Sequence, residues 1–326
     1  MKNGISKKEI ILFVCALGIL AVIIVFGFIM DKAENNSSMD NESAYSGYVL
    51  DQINYESEWY VPNENVESVL IIGLDKMVEG NTGKQDSEQA DFLAVIVIDR
   101  KDESYRILHI NRDTMANIPQ TDMFGEIYGY TKGQITLAHT YGKEDRVRCR
   151  NTINSVEKLL YGVNIDHYIS LTMDAVSILN DSIGGVTLEL MDDFPDMGEE
   201  FVKGATVTLK GDQALTYVRA RGGLEDSTNI HRMERQQQYI AALIEQIGGS
   251  EIDNEADTMR KVSEYVFTDY TTDQLSRLIE KYRDYEFKGT LTPEGEAVVG
   301  DMYMEFYADD QALKELVIDL FYRKRD

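Results

Sequence analysis

The residues best suited to chemistry in this chain are four arginines, which gather in a short stretch of an otherwise acidic sequence. Arg219 and Arg221 follow a predicted short helix, and Arg232 and Arg235 lie three residues apart near the start of a longer one, on the same flank as Gln236. A guanidinium group matches phosphate oxygens in bidentate fashion, and a helix start adds positive potential. The spacing predicts an anion site; the alternative is a solvated surface on which neighbouring acidic residues pair with the arginines.

Aspartates lie where apolar, strand-like segments end or begin. Asp75 closely follows one such segment, Asp91 directly precedes the next, and Arg112 and Asp113 follow a third. If the first two strands are neighbours, Asp75 and Asp91 meet at one end of the sheet, where α/β folds bind ligands. Carboxylates together with diphosphate oxygens suit Mg²⁺. Aspartates beside strands also serve as turn or capping residues, and spacing alone leaves both interpretations open.

Charge and motif content exclude several other classes of function. The formal net charge is −25, whereas a general nucleic-acid binder needs a basic face. None of the four histidines forms a metal-spaced pair, and the sequence contains no P-loop, serine-centred elbow or dinucleotide glycine fingerprint. The arginines and aspartates therefore remain the candidates for chemistry.

The elements that must position these residues follow from the apolar pattern. Continuous apolar runs predict strands covered on both faces, and spacings of three, four and seven residues predict amphipathic helices. Strands that alternate with helices in this way predict an α/β sandwich. The predicted strands are 68–74, 92–98, 104–110, 167–171 and 186–190, and the predicted helices are 152–161, 174–182, 211–218, 230–247, 273–284 and 310–322.

The N-terminal region predicts a membrane anchor. Residues 10–30 form an uncharged apolar run of 21 residues, and at about 1.5 Å per residue this run matches a bilayer core of about 30 Å. Met30, Asp31 and Lys32 do not provide the small-residue cleavage site of a signal peptide. Lysines precede the run and acidic residues follow it, so the positive-inside rule places the C-terminal part outside the cell.

Seven segments, taken in order, resemble the LytR-CpsA-Psr family of cell-envelope phosphotransferases. Segment 232–236 is similar to the family's Arg-x-x-Arg-Gln, and segment 209–221 is similar to its Leu-x-Gly-x-x-Ala-Leu-x-Tyr-x-Arg-x-Arg. The chain departs from the family pattern at Asn111, where the family usually has proline, and at Asn229, where it often has aspartate. The seven segments are 69–75, 90–98, 110–114, 135–142, 181–186, 209–221 and 232–236.

The resemblance implies a three-layer α/β/α sandwich that is exported behind one N-terminal transmembrane helix. The expected division of the chain is a cytoplasmic tail, a transmembrane anchor, an extracytoplasmic stalk, a catalytic domain and a C-terminal helix or extension. These parts correspond to residues 1–9, 10–30, 31–62, 63–300 and 301–326.

The resemblance also implies roles for individual residues. Asp75 and Asp91 would hold Mg²⁺, and together with Arg112 and Asp113 they would form the catalytic set. The residues expected to bind a diphosphate are Arg112, Arg219, Arg221, Arg232, Arg235 and Gln236.

The expected reaction is transfer of a glycopolymer from a polyprenyl diphosphate carrier onto peptidoglycan at the outer face of the cell membrane. Arginines and Mg²⁺ would neutralise the diphosphate while a sugar hydroxyl attacks phosphorus. Two alternatives use the same residues: a non-catalytic regulatory or scaffold protein that binds the polyprenyl diphosphate, and a diphosphatase that uses water as the acceptor.

The predicted topology can be tested by labelling. With the N-terminus inside the cell and residues 31–326 outside, a cysteine introduced by Ser46→Cys should react with a membrane-impermeant thiol reagent in intact cells. The parent chain provides the background signal, since it contains Cys15 within the predicted span and Cys149 in the part predicted to lie outside. Labelling that appears only after lysis would place this region on the cytoplasmic side.

Overall fold

The computed structural model describes residues 52–74, 88–172, 174–220, 228–247, 261–282, 284–300 and 303–325. Asp75, Arg221 and the predicted anchor at 10–30 lie outside these residues. Within the described ranges, no helix combines the length and apolar character needed to cross a membrane.

The described residues form a mixed α/β fold. The strands are β1 (Ile53–Tyr55), β2 (Glu58–Pro62), β3 (Val66–Leu74), β4 (Ala90–Asp99), β5 (Ser104–Ile110), β6 (Met115–Thr121), β7 (Ile127–Gln134), β8 (His167–Thr172), β9 (Val186–Glu189), β10 (Thr206–Leu209), β11 (Val266–Thr268), β12 (Glu286–Leu291), β13 (Gly295–Val299), β14 (Met304–Ala308) and β15 (Tyr322–Lys324). The helices are α1 (Asp145–Leu159), α2 (Asp174–Ser182), α3 (Asp212–Arg219), α4 (Asn229–Ile247), α5 (Thr272–Tyr282) and α6 (Asp310–Phe321), and a 3₁₀ helix covers Ile135–Thr140.

The central sheet contains, among the described residues, six strands in the order β11–β8–β3–β4–β5–β12. β4 pairs antiparallel with both β3 and β5. β8 and β12 run parallel to their neighbours β3 and β5. The sheet is therefore mixed, with its three longest and most apolar strands at the centre.

Those central strands are buried on both faces, as their continuous apolar sequences predict. In β3, Leu70 and Ile72 contribute to the core on one side of the sheet, whereas Val69 and Ile71 contribute to the core on the other. This alternation is the two-residue period of an extended chain. The strands predicted at 68–74, 92–98 and 104–110 are confirmed within two residues at each end.

Helices cover both faces of the sheet. On one face, Val156 of α1 and Val317 of α6 belong to the same apolar cluster as Leu70. On the other, Leu278 of α5 packs with Ile71, and Ile244 of α4 packs with Ala94 and Ile107 of the sheet. α4, which carries the predicted Arg-x-x-Arg segment, is thereby fixed against the sheet by its apolar side.

One predicted helix begins earlier than expected, and one confirmed strand lies outside the main sheet. The helix predicted at 152–161 begins earlier, at Asp145. Its first two turns are polar and lack apolar periodicity, but Cys149 and Asn151 are fully buried, and the Asn151 amide donates to the Tyr141 carbonyl at 2.8 Å. The strand predicted at 186–190 is present as β9, but it pairs with β10 in a separate hairpin and does not join the main sheet.

The domain boundaries also differ from the prediction. Part of the predicted stalk, residues 53–62, forms β1 and β2, and β2 pairs with β15 at the end of the chain. The region predicted as a C-terminal helix or extension contains the predicted helix as α6, but its Leu313, Val317 and Phe321 are buried in the main core. The stalk was predicted from polar composition. Composition could not indicate the strand pairing, because the partner of β2 lies about 260 residues further along the chain.

The place of α6 in the core predicts its contribution to stability. Leu313→Ala should lower the free energy of unfolding by about 2–5 kcal/mol, because it removes a buried side chain and leaves a cavity. The matched control is Asp319→Ala on the same helix, which removes an exposed ion pair with Arg106 and should cost about 0–1 kcal/mol. Denaturant unfolding measures both values, and equal effects would show that α6 is peripheral.

Candidate functional site

The candidate site lies where β3 ends and β4 and the loop after β5 begin. Leu74, the residue before Asp75, pairs with Ala90, the residue before Asp91. Ile110, at the end of β5, pairs with Leu93. The two strands on which the carboxylate prediction depended are therefore neighbours, and the segment 111–114 leaves the sheet at the same edge.

Arg112 lies at the centre of a buried cluster of charges at this edge. Its guanidinium pairs with the carboxylate of Asp91, and its Nε lies 3.5 Å from Oδ1 of Asp113. Its Nη2 also donates to Oε1 of Gln89 at 2.8 Å. Asp91 and Asp113 are each only 8% exposed. Charges this far from water must be paired, and here one guanidinium contacts two carboxylates.

The loop that carries Arg112 is held by a set of short hydrogen bonds. Oδ1 of Asn111 accepts from the Asp113 amide at 2.9 Å, and the Thr114 hydroxyl donates to the Asn111 carbonyl at 2.6 Å. The Gln134 amide donates to Oδ1 of Asp113 at 2.9 Å. These bonds orient Asp113 and leave the loop few alternative conformations.

The start of α4 is joined to this loop. Thr228 precedes the helix and accepts from the His231 amide at 3.2 Å, as an N-cap residue does. Nδ2 of Asn229 donates to Oδ1 of Asn111 at 2.7 Å, and Oδ1 of Asn229 accepts from Arg232. The two positions at which the chain departs from the pattern it resembles are thus bonded to each other, and they connect the Arg112 loop to Arg232.

A buried histidine lies near Arg232. His109 is 2% exposed, and Nε2 of Gln237 lies 3.2 Å from its Nδ1. Burial, reinforced by the positive charge of Arg232, lowers the pKa of His109 to about 3. His109 is therefore neutral at physiological pH and adds no charge to the site.

Arg235 and Gln236 are placed differently from Arg232. Arg235 is fully buried and pairs with Asp192, with 2.8 Å between Nη1 and Oδ2. Nε2 of Gln236 donates to the Val218 carbonyl at 3.2 Å. The structure thus brings Arg112, Arg232, Asp91 and Asp113 into one connected network, while Arg235 and Gln236 contact the end of α3. Arg219 is the last residue of α3 and is half-buried.

Sequence reasoning did not find Gln89, Gln134 or Asp192, which support the predicted residues. Asp192 lies in an acidic, loop-like stretch that carries no periodic signal, and its buried position becomes evident only from its contacts with Arg235 and His231.

Asp91 and Asp113 carry the type of oxygen donor that Mg²⁺ binds in proteins. Asp91 and Asp113 provide carboxylate oxygens in contact with one guanidinium, and Mg²⁺ is bound by a few carboxylates together with phosphates and waters. Over the part of the chain that the structure describes, no cluster of three or more histidine, cysteine, aspartate or glutamate side chains is arranged to hold a metal ion. Asp75 lies outside that part.

Comparison with known proteins identifies the family. A profile of the LytR_cpsA_psr family matches residues 26–317. The chain is a member of the LytR-CpsA-Psr family. It is 30% identical over 281 residues to the polyisoprenyl-teichoic acid–peptidoglycan teichoic acid transferase TagU of Halalkalibacterium halodurans, covering 85% of each chain. It is also 30% identical over 283 residues to TagU of Bacillus anthracis, covering 85% of this chain and 84% of the relative.

Solved structures share the fold of this LytR-CpsA-Psr protein. Bacillus subtilis TagV is 25% identical with a TM-score of 0.57, covering 79% of this chain and 96% of TagV. TagT bound to LI-WTA is 22% identical with a TM-score of 0.59, covering 79% and 90%. The mixed α/β architecture is therefore that of the family.

The contacts of His231 predict a pH dependence of stability. Its Nε2 lies 2.9 Å from Asp192 and its Nδ1 lies 3.0 Å from Glu234. Burial lowers the pKa of His231, but hydrogen bonds to Asp192 and Glu234 outweigh burial and raise this pKa above its ordinary value of 6.5. Protonated His231 therefore stabilises the folded state below pH 6.5, and this contribution is lost as the pH rises through the folded-state pKa.

His231→Gln should consequently lower the free energy of unfolding more at pH 5.5 than at pH 8.5. Glu234→Gln removes one of the two acidic partners and should reduce this difference without abolishing it. Denaturant unfolding at both pH values provides the measurement. A loss of the same size at both pH values would mean that His231 stabilises the fold only as a neutral hydrogen-bonding group.

Proposed function

We propose that this protein is a membrane-anchored phosphotransferase that moves a teichoic acid or a related glycopolymer from a polyprenyl diphosphate carrier onto peptidoglycan. The observation that carries the proposal is the network at the sheet edge. It joins Arg112, Asp91 and Asp113 to Arg232 through the hydrogen bond between Asn111 and Asn229. The names of the TagU relatives supply the reaction class.

The network supports binding of a diphosphate. The chain carries a formal charge of −25, so an anionic substrate is repelled by most of the surface and is favoured only where guanidinium groups gather. Arg112 and Arg232 come from different elements and are held together by short side-chain bonds, so they offer donors that are already oriented. Arg219 and Arg221, which lie at and after the end of α3 in the sequence, would add donors for the diphosphate. Gln236 would supply a further hydrogen-bond donor.

The proposed reaction is a displacement at phosphorus. A sugar hydroxyl of peptidoglycan attacks the phosphorus attached to the glycopolymer, a new P–O bond forms, and the bond to the polyprenyl phosphate breaks. Arg112 and Arg232 stabilise the negative charge on the transferred group and on the departing polyprenyl phosphate. A carboxylate of the site takes the hydroxyl proton, with Asp91 and Asp113 as the candidates in the described part of the chain.

Mg²⁺ is part of this proposal. Asp75 and Asp91 would hold the ion, which would supply positive charge against the diphosphate oxygens. The protein's own contribution in the described part of the chain is the carboxylate of Asp91, which is held against the Arg112 guanidinium.

The location is also proposed. The apolar run 10–30 would anchor the protein as a single-pass span, with its N-terminus inside. The helix–sheet–helix arrangement would then be a three-layer α/β/α sandwich on the outer side, facing both the lipid-linked donor and the peptidoglycan.

A transfer assay tests the proposed function. Protein in detergent should join a synthetic polyprenyl diphosphate-linked glycopolymer to a peptidoglycan oligomer when Mg²⁺ is present, and mass spectrometry should detect the phosphodiester product. A free glycopolymer phosphate would identify a diphosphatase, and binding without any product would identify a scaffold; either outcome contradicts the proposal. Chelation of Mg²⁺ should abolish transfer.

Substitutions connect the activity to the network. Arg232→Ala should weaken binding of the polyprenyl diphosphate by about 10- to 150-fold, the loss of one charge-assisted contact of about 1.5–3 kcal/mol. Asp91→Asn keeps a hydrogen-bond acceptor beside Arg112 but removes the charge, and it should abolish Mg²⁺-dependent turnover. The control is Arg106→Ala, which removes an exposed arginine on β5 that pairs with Asp319. Wild-type values for Arg232→Ala and Asp91→Asn would place the reaction elsewhere.

A further inference from the structure

The guanidinium of Arg235 donates its hydrogen bonds to acceptors inside the protein. Its side chain is fully buried. Nη1 donates to Oδ2 of Asp192 at 2.8 Å, Nε donates to the Tyr217 carbonyl at 3.2 Å, and Nη2 donates to the Ala220 carbonyl. Each of the three guanidinium nitrogens therefore has an acceptor within the chain.

Two of these acceptors lie at the C-terminal end of α3. The last carbonyls of a helix lack partners within the helix and must find other donors. Here α4 supplies the donors, because Arg235 takes the carbonyls of Tyr217 and Ala220 while Gln236 takes that of Val218. A cation at this position is also favoured by the helix dipole. Hydrogen bonds from two consecutive residues of α4, Arg235 and Gln236, thus hold the segment 217–220, which contains Arg219.

The charge of Arg235 is already neutralised. Asp192 is 2% exposed, and its carboxylate contacts both Arg235 and Nε2 of His231. If Arg235 turned towards a ligand, the buried charge of Asp192 would lose its main partner, and breaking a buried ion pair in this way is strongly unfavourable. Arg235 therefore differs from Arg232, whose contact through Asn229 belongs to the Arg112 network.

We propose that Arg235 is a positioning residue for the diphosphate site and not a ligand of the diphosphate. It fixes the segment 217–220 so that Arg219 is presented in one direction towards the substrate. Asp192 shares this role by holding the guanidinium in place. The inference rests on the proposed function for the identity of the ligand, but the internal contacts of Arg235 do not depend on it.

A double-mutant cycle separates positioning from direct contact. Arg235→Lys keeps the positive charge but cannot serve three acceptors in a planar fork. It should weaken binding of geranylgeranyl diphosphate by about 10-fold, and the same substitution in the Arg219→Ala background should have a smaller effect, since part of its action passes through Arg219. The same loss in both backgrounds would show that the effect of Arg235 does not pass through Arg219, and that result would overturn the proposal.

Asp192→Asn extends the test to a residue outside the proposed ligand set. It should weaken binding in the same direction as Arg235→Lys, because it loosens the guanidinium without touching the substrate. Wild-type binding by Asp192→Asn would contradict the shared role. The matched control is Arg106→Lys, an exposed arginine that pairs with Asp319 and should change neither binding nor melting temperature.

Hydrogen–deuterium exchange provides a measurement that requires no ligand. In the free protein, Arg235→Lys should speed amide exchange at 218–220, including the Ala220 amide that donates to the Thr216 carbonyl at 2.9 Å, while exchange in β3 and β4 stays as in the wild type. Unchanged exchange at 218–220 would overturn the positioning role. If the wild type does not bind geranylgeranyl diphosphate but the exchange result holds, the proposed ligand is wrong and the positioning role stands.

Discussion

Buried guanidinium groups impose the constraint on which the functional end of this structure depends. Arg232 and Arg235 are almost wholly inaccessible to water, and Arg112 is largely covered. A charge removed from water destabilises the fold unless it is paired and hydrogen-bonded. The loop after β5, the start of α4 and the end of α3 are arranged around these groups, since each of these segments supplies carboxylates, amides or carbonyls that satisfy them.

The arginines are satisfied in two different ways. Arg112 is paired with two carboxylates at the sheet edge, where ligands enter an α/β fold, so a cation and a diphosphate could replace these internal pairs. Arg235 is paired with a carboxylate and with backbone carbonyls, and these partners can be released only by distorting α3. Arg232 and Arg235 lie on the same side of one helix but have different roles, because Arg232 contacts Asn229 whereas Arg235 contacts Asp192 and the carbonyls at the end of α3.

A pair of asparagines connects the two halves of the site. Oδ1 of Asn111 accepts from both the Asp113 amide and Nδ2 of Asn229, which uses the two acceptor positions of a carbonyl oxygen. Proline at 111 could not accept these bonds, and aspartate at 229 could not donate one when ionised. The two departures from the pattern that the sequence resembles are therefore one structural feature, and they keep Arg112 and Arg232 in a fixed relation.

Local patterns in the sequence were sufficient to predict several elements of the fold. The central strands follow from continuous apolar runs, and α2 and α4 follow from helical periodicity, with bounds matched to within a residue. The turn after α2 also has a local cause, because its backbone conformation requires glycine. Gly184 and Gly185 have φ of +80° and +98°, and a Cβ at Gly185 would lie 2.5 Å from the Leu209 carbonyl. The order of the seven segments was enough to indicate the family, because these segments can be recognised in the sequence without knowing which residues are in contact.

Which charges are buried and which segments complete the fold became evident from contacts between distant parts of the chain. The first turns of α1 are polar in sequence. The segment that forms β1 and β2 has the polar composition of a stalk, but β2 pairs with β15, a strand far along the chain. Arg232 and Arg235 have the same residue type and share one helix flank, but Arg235 pairs with Asp192 and the end of α3, whereas Arg232 contacts Asn229. The physical reason is that pairing and burial depend on neighbours that are distant in sequence, whereas helix and strand periodicity is set by residues a few positions apart.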